Sequence, residues 1–259
     1  MQKLKDKVVL VTGASAGIGR ACALQFAAVG AHVVAVARNA EKLQTLQQEL
    51  PGESGRHLFF AADVNAEPMM AMLLSQIHEK YGRLDILIHN AAVGYHTSLE
   101  LMKMETLRKV FETNYFAIVR MTQLALPLLK KSKGHLMFIS SVIGRVSVPN
   151  YSAYCSSKFA LEALASALRC EVKKEGVAVS VVCPPRVKTD FSLNTYREQE
   201  SQMKWKKMKS AEQMAQKIVA VAATRQREFV YSFGGKFLIF LNRRFPKLVD
   251  KIFEKCLTS

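Results

Sequence analysis

The sequence predicts an α/β fold in which a doubly wound parallel sheet carries helices on both faces. Three observations predict it. Short β-branched runs alternate with helical stretches along the first two-thirds of the chain. The runs are continuously apolar rather than alternating, as strands covered on both sides are. A glycine cluster occupies the first strand-to-helix turn. Strands separated by helices of this length imply right-handed crossovers that build one shared sheet.

Taken in order, KVVLV (7–11) is the first strand, followed by Gly13, Gly17 and Gly19 and the helical stretch RACALQFAAVG. AHVVAVA (31–37) is the second strand, 39–50 a polar helix and HLFFAADV (57–64) the third strand. A helix over 67–81 leads to LDILIHNAA (84–92). Helical spacing then runs from 99 to 131, with Pro127 expected to kink its end. HLMFISS (135–141), a helix over 152–174 and VAVSVVC (177–183) complete six repeated units. Residues 184–210 lack periodicity and read as a mobile loop with a short helix. A helix (210–223) and a strand (228–232) follow. We divide the chain into one α/β domain over 1–232 and a helical extension of that domain over 233–259.

Composition narrows the classes. The 259 residues are 49% apolar and 22% charged, with 13 Gly and 7 Pro, too apolar for a disordered chain and too poor in Gly and Pro for a fibrous one. Cys22, Cys155, Cys170, Cys183 and Cys256 are odd in number, scattered and free of any C-x-x-C pair, which points to reduced thiols inside the cell. No apolar run approaches the roughly 18–20 residues of a membrane-spanning helix, and VVLV is too short for a secretory signal. The net charge is +16, and residues 197–259 carry 14 Lys/Arg against 6 Asp/Glu, a net +8. That balance is either a solvated surface or one that approaches acidic lipid, nucleic acid or an acidic carrier. No nucleic-acid motif or aromatic stacking platform accompanies it, so no nucleic-acid partner is expected.

Thr12-Gly13-Ala14-Ser15-Ala16-Gly17-Ile18-Gly19 lies where a strand-to-helix turn aims backbone N–H groups and the positive helix end at a pyrophosphate. Glycines permit the tight turn and the close approach of phosphate to backbone. Dinucleotide sites read the adenosine ribose about 20 residues later. There the sequence has Val36-Ala37-Arg38-Asn39, with no acid before Glu41. Arg38 can pair with a 2′-phosphate and no carboxylate stands to repel it, which favours NADP(H) over NAD(H).

Ser140 and Ser141 end the fifth strand, and Tyr154 and Lys158 follow in Tyr-Ser-Ala-Tyr-Cys-Ser-Ser-Lys. The four-residue spacing stacks Tyr154 and Lys158 on one helix face, with Tyr151 two turns from the lysine and out of its reach. A phenol with a pKa near 10 is a poor base at neutral pH. An ammonium about 4 Å away contributes roughly 4 kcal/mol at an effective dielectric of about 20, at most about 3 pKa units. Ser141 can donate a hydrogen bond to a carbonyl oxygen.

With Asp63-Val64 ending the third strand, Asn90-Ala91-Ala92 ending the fourth, and Asn114, this combination resembles the short-chain dehydrogenase/reductase family over roughly residues 5–192. The resemblance implies that Tyr154 is the acid in reduction and the base in oxidation, and that Lys158 lowers its pKa and holds the nicotinamide ribose. It implies that Ser141 orients the substrate oxygen and that Asn114 positions a water in a proton relay. Gly13, Ser15, Gly17, Ile18 and Gly19 would line the phosphates, Asp63 and Val64 the adenine, and Asn90 the adenosine side. Hydride would pass directly to the carbonyl carbon with no metal. The resemblance further implies a homo-oligomer built through the two long helices.

One departure stands out. Where the family has Pro-Gly-x-Val-x-Thr, this chain has Pro184-Pro185-Arg186-Val187-Lys188-Thr189. Pro185 fixes φ and removes an N–H, so the turn cannot copy a glycine with positive φ. Val187 and Thr189 keep their places near the nicotinamide amide. Arg186 either meets an anionic substrate group or stays in solvent.

The tail mixes apolar bulk and charge. Phe245, Leu248, Val249, Ile252, Phe253 and Cys256 follow helical spacing beside Arg243, Arg244, Lys247, Lys251 and Lys255. Such a helix lies on an anionic membrane, caps the substrate pocket or packs on a partner subunit. The expectation is a cytoplasmic NADP(H)-dependent oxidoreductase that reduces an apolar or lipid-like carbonyl, or oxidises the matching alcohol. A cofactor-binding regulatory protein with vestigial activity is the alternative.

Overall fold

A computed structural model of the chain describes residues 2–52, 55–199 and 208–257. Seven parallel strands form the central sheet in the order β3-β2-β1-β4-β6-β7-β9. They are β1 (Val8–Thr12), β2 (His32–Ala37), β3 (Leu58–Ala61), β4 (Ile86–His89), β6 (His135–Ile139), β7 (Ala178–Cys183) and β9 (Glu228–Val230). The register runs Val9↔Val33 between β1 and β2 and Leu10↔Leu87 between β1 and β4.

The continuous apolar runs arise because both faces of the sheet are covered. Val9 and Val11 of β1 and Val33 and Ala35 of β2 meet α1 (Gly17–Ala28), α2 (Ala40–Glu49) and α7 (Ala211–Thr224). Val8, Leu10, Val34 and Val36 point the other way, into α3 (Glu67–Tyr81), α5 (Ala117–Ser132) and α6 (Ser152–Glu171). All five residues of β1 are buried.

Three expectations need correction. The helix over 99–131 is two helices, α4 (Met104–Phe111) and α5, joined by a π-turn over Glu112–Phe116. The break falls there and not at Pro127, which lies inside α5 on an exposed face. Water can satisfy the carbonyl that a solvent-side proline leaves unbonded, so the helix continues past it. Second, the 184–210 segment holds a 3-10 turn (Asp190–Asn194) and a strand, β8 (Thr195–Arg197), which pairs in parallel with β5 (Gly94–His96) outside the main sheet. Residues 200–207 of that segment lie outside the described residues. Third, the tail is two helices, α8 (Phe233–Arg244) and α9 (Pro246–Leu257), of which the apolar spacing had marked only the second. No helix among the described residues is long and apolar enough to cross a membrane.

The end of the sheet away from the glycines is fastened by Asp85. Its carboxylate accepts hydrogen bonds from Lys7 Nζ and Val8 N at 3.0 Å and from Arg83 Nε at 2.8 Å. Burial pushes this carboxyl up, but the bonds from Arg83, Val8 and Lys7 outweigh it and hold the pKa below the ordinary value. The stabilisation is therefore present above pH about 4 and lost as pH falls through the depressed pKa. Asp85→Ala is expected to cost about 2–3 kcal/mol in urea unfolding at neutral pH, shrinking toward acid. An unchanged midpoint would show that the clamp contributes nothing.

Candidate active site

Strand order reverses between β1 and β4, and ligands of open parallel sheets bind in the crevice outside such a point. Thr12, at the β1 tip, accepts hydrogen bonds at Oγ1 from Asn90 N (2.9 Å) and Ala91 N (3.0 Å) and donates to Ile88 O (3.3 Å). Asn90 Nδ2 returns bonds to Thr12 O (2.9 Å) and Gly13 O (3.3 Å). Asn90 thus holds the glycine turn in shape. Thr12 shares that task, a role its place at the head of the glycine motif could have signalled.

The glycines are required by space. Gly13 has φ +66°, and a Cβ on Gly19 would lie 2.3 Å from Gly13 O and 2.5 Å from Asn90 Nδ2. α1 begins after Ala16, which has no side-chain cap, so its first-turn N–H groups are left for a ligand or solvent. Ser15 and Gly17 line a cavity of about 390 Å³ bordered by Arg20, Lys42 and Lys188. Arg20 is paired with Glu49 at 2.6 Å and Glu212 lines the same cavity, so the uncapped helix start and a turn with no room for side chains are what fit the pyrophosphate of a dinucleotide. Ile18 turns partly inward against the core. Val64 lies with Thr12, Ala91 and Thr113 around a cavity of about 10 Å³ beside β1 and β4.

Arg38 stands at the β2 tip and is 61% exposed, with Nη1 4.0 Å from Asp63 Oδ2. The expectation that no carboxylate stands near Arg38 is therefore corrected. β2 and β3 are sheet neighbours, so their tips bring Asp63 to an arginine 25 positions earlier in the chain, which inspection of the residues before Glu41 could not show.

Tyr154, Ser141 and Lys158 converge. Ser141 ends its loop as the cap of a 3-10 turn, Val142–Gly144, accepting at Oγ from Ile143 N at 3.3 Å, and it stands close enough to Tyr154 to draw the phenol's pKa down. Lys158, one turn beyond Tyr154 on α6, is 2% exposed. It donates to Ile139 O at 2.9 Å, with Nζ 5.7 Å from the Tyr154 ring centroid. The electrostatics differ from the sequence expectation. Burial raises the Tyr154 phenol above its ordinary pKa, the Cys155 and Cys183 thiols add to the rise, and Ser141 opposes it. Burial also pulls Lys158 down to about 8, against Cys183 and Glu162. Desolvation outweighs the ammonium–phenol attraction because Lys158 lies beside the ring and spends a proton on a backbone carbonyl.

Asn114 sits in the π-turn and is fully buried. Its Oδ1 accepts from Val93 N (2.9 Å), while Nδ2 donates to Val93 O (2.9 Å) and Ser157 Oγ (3.0 Å). Ser157 Oγ in turn donates to Tyr154 O at 2.8 Å. The side chain therefore braces α6 under Tyr154, and a water in a relay would have to meet its main chain. π-turns of this kind recur at functional sites.

Pro185 lies in a turn with no positive φ, and β7 ends at Cys183 before it. Val187 bridges to Lys209, closing the base of the loop. Thr189 rests on the glycine turn, its Cγ2 2.9 Å from where a Gly17 Cβ would be, and its Oγ1 accepts from Phe191 N at 3.3 Å. The Phe191 ring meets that of Tyr154 edge-on at 5.8 Å. Phe191 was not anticipated, because it lies in a segment without periodicity.

Known proteins match this chain. The short chain dehydrogenase family profile matches residues 7–200. The dehydrogenase/reductase SDR family member 7B of Bos taurus is 37% identical over 198 residues, 74% of this chain but only 61% of that relative. A short-chain dehydrogenase structure from Streptomyces avermitilis superposes with a TM-score of 0.82 at 26% identity, covering 96% of each chain. One from Burkholderia phymatum, in complex with NAD, superposes at 0.85 with 21% identity over 96% of each chain, a likeness of fold. The glycine turn at the switch point and the Ser141–Tyr154–Lys158 cluster lie within the matched span, and the chain belongs to the short-chain dehydrogenase family.

Proposed function

We propose that this protein is an NADP(H)-dependent oxidoreductase that reduces the carbonyl group of an apolar substrate, or oxidises the matching secondary alcohol. The observation that carries the reading is the pairing of Tyr154 and Lys158 at the end of the Ser141 strand, linked to the glycine turn through Phe191 and Thr189. A bound reduced nicotinamide supplies hydride. Ser141 Oγ and Tyr154 Oη hold the carbonyl oxygen between them, and Tyr154 gives its proton to that oxygen as negative charge develops there. Lys158 keeps a cation beside the resulting phenolate. In alcohol oxidation the proton moves the other way. The phenol carries its proton at neutral pH, and the rise that burial imposes is a cost that the Lys158 cation offsets as the phenolate forms.

The apolar substrate class follows from Phe191 over Tyr154, since a ring there excludes water from the reacting oxygen. The preference for NADP(H) rests on Arg38, whose guanidinium can exchange its long contact with Asp63 for a bidentate bond to a 2′-phosphate. Phe116 and Phe159, 47% and 41% exposed on the long helices α5 and α6 or the turn before them, fit the expected homo-oligomer. The free thiols of Cys22, Cys155, Cys170 and Cys183 fit a cytoplasmic setting.

The reading is tested by following NADPH oxidation across ketones, quinones, steroids and acyl thioesters. Arg38→Asp is expected to move the NADPH:NADH ratio of kcat/KM toward NADH by about a hundredfold, the effect of exchanging a charge-assisted pair for a repulsive one. No turnover with any carbonyl would end the assignment, and an unaltered ratio would place the 2′-phosphate elsewhere.

A further inference from the structure

Most surface helices bury their rings and expose their charges. α8 exposes both. Phe233, Phe237 and Phe240 fall on one stripe at i, i+4 and i+7 and are 84%, 52% and 58% exposed, while no residue of the helix is fully buried. Arg244 continues the stripe, and Lys236 and Arg243 flank it, all three exposed. On α9, Val249 is the anchor at 1% exposure, whereas Leu248 and Ile252 stay open at 48% and 42%.

We infer that the α8–α9 pair docks on an anionic lipid bilayer, with the Phe233, Phe237 and Phe240 rings in the headgroup–acyl boundary and the arginines and lysines at the phosphates. Three lines of argument select this occupant. The exposed rings and cations share one face, the arrangement of a helix that lies in a membrane interface. The tail carries 6 Lys/Arg against 2 Asp/Glu over residues 233–259, so a second copy placed face to face would meet its own charge, whereas acidic lipid complements it. Finally, the rings point away from the active site. The inward side of α8 touches the fold where a Gly235 Cβ would lie 2.9 Å from Val142, the residue after Ser141. Docking therefore brings the Ser141 end of the sheet close to the lipid surface, where an apolar substrate would be drawn. The family profile ends at residue 200, so this surface lies outside the part of the chain that defines the family.

The test is flotation of the full-length protein with two kinds of vesicle, pure phosphatidylcholine and phosphatidylcholine with about 30 mol% phosphatidylserine. Flotation is expected with the anionic vesicles and not with the neutral ones. It should weaken at about 0.5 M NaCl, where screening shortens the field to a few ångström. Phe233→Ser/Phe237→Ser/Phe240→Ser should lower the bound fraction at least about tenfold at low salt, and Arg243→Glu/Arg244→Glu should do the same. Because these side chains are exposed, the variants should keep the wild-type melt and NADPH affinity, so a loss of flotation with a lowered melt is replaced by Phe237→Ser alone. No flotation with anionic vesicles, flotation that ignores the ring substitutions, or a particle mass by light scattering that those substitutions reduce would each overturn the proposal, the last by showing a second copy on this face.

Discussion

Tyr154→Phe is expected to lower kcat/KM for carbonyl reduction by about a thousandfold while NADPH binds as before. The substitution removes one oxygen and leaves the ring, its edge contact with Phe191 and its place over Lys158. A loss of turnover then reports the proton and not the fold. Retained turnover would refute the assignment of Tyr154 as the acid. The pH profile gives a second reading of the same cluster. Burial draws Lys158 down to about 8 and drives the Tyr154 phenol up, so the lysine is the group that titrates first. Its cation is present below pH 8 and disappears above it, and kcat/KM for reduction should hold on the acid side and fall on the alkaline side. Lys158→Arg, with a cation at every accessible pH, should remove that fall. A break near pH 8 that survives the arginine would belong to another group.

Gly19→Ala is expected to weaken dinucleotide binding by at least about a hundredfold and to lower stability by about 1–3 kcal/mol. The added carbon would sit 2.3 Å from Gly13 O and 2.5 Å from Asn90 Nδ2. The atoms it displaces are backbone and the amide that ties β4 to the glycine turn, neither of which can swing aside as a flexible side chain would. Both readouts should move together, fluorescence titration for the cofactor and thermal melting for the fold. An alanine variant with wild-type affinity and melting point would mean that the turn can relax.

The strands were legible because each is a continuous apolar run in a sheet buried on both sides. The glycine turn and the Tyr154–Lys158 spacing were legible because their geometry is local: a turn of a few residues and one turn of helix. The π-turn at 112–116 was not, since an extra residue in a helix leaves the apolar spacing on either side nearly intact. β5 and β8, three residues each, were too short to show a period. α8 escaped for a different reason: its rings face water, which inverts the pattern by which surface helices are found.

By itself the sequence determined the α/β class, the crossover topology, the glycine turn and the one-turn spacing that sets Tyr154 beside Lys158. Each depends on residues close together in the chain, where covalent geometry fixes their relation. The tertiary structure decided that Asp63 meets Arg38, that Asn114 spends its side chain bracing Val93 and Ser157, that Phe191 meets Tyr154 edge-on, and that Tyr154 and Lys158 are buried together. These outcomes depend on distance and burial between segments tens of residues apart, which only the packing of the sheet and its two helical layers creates.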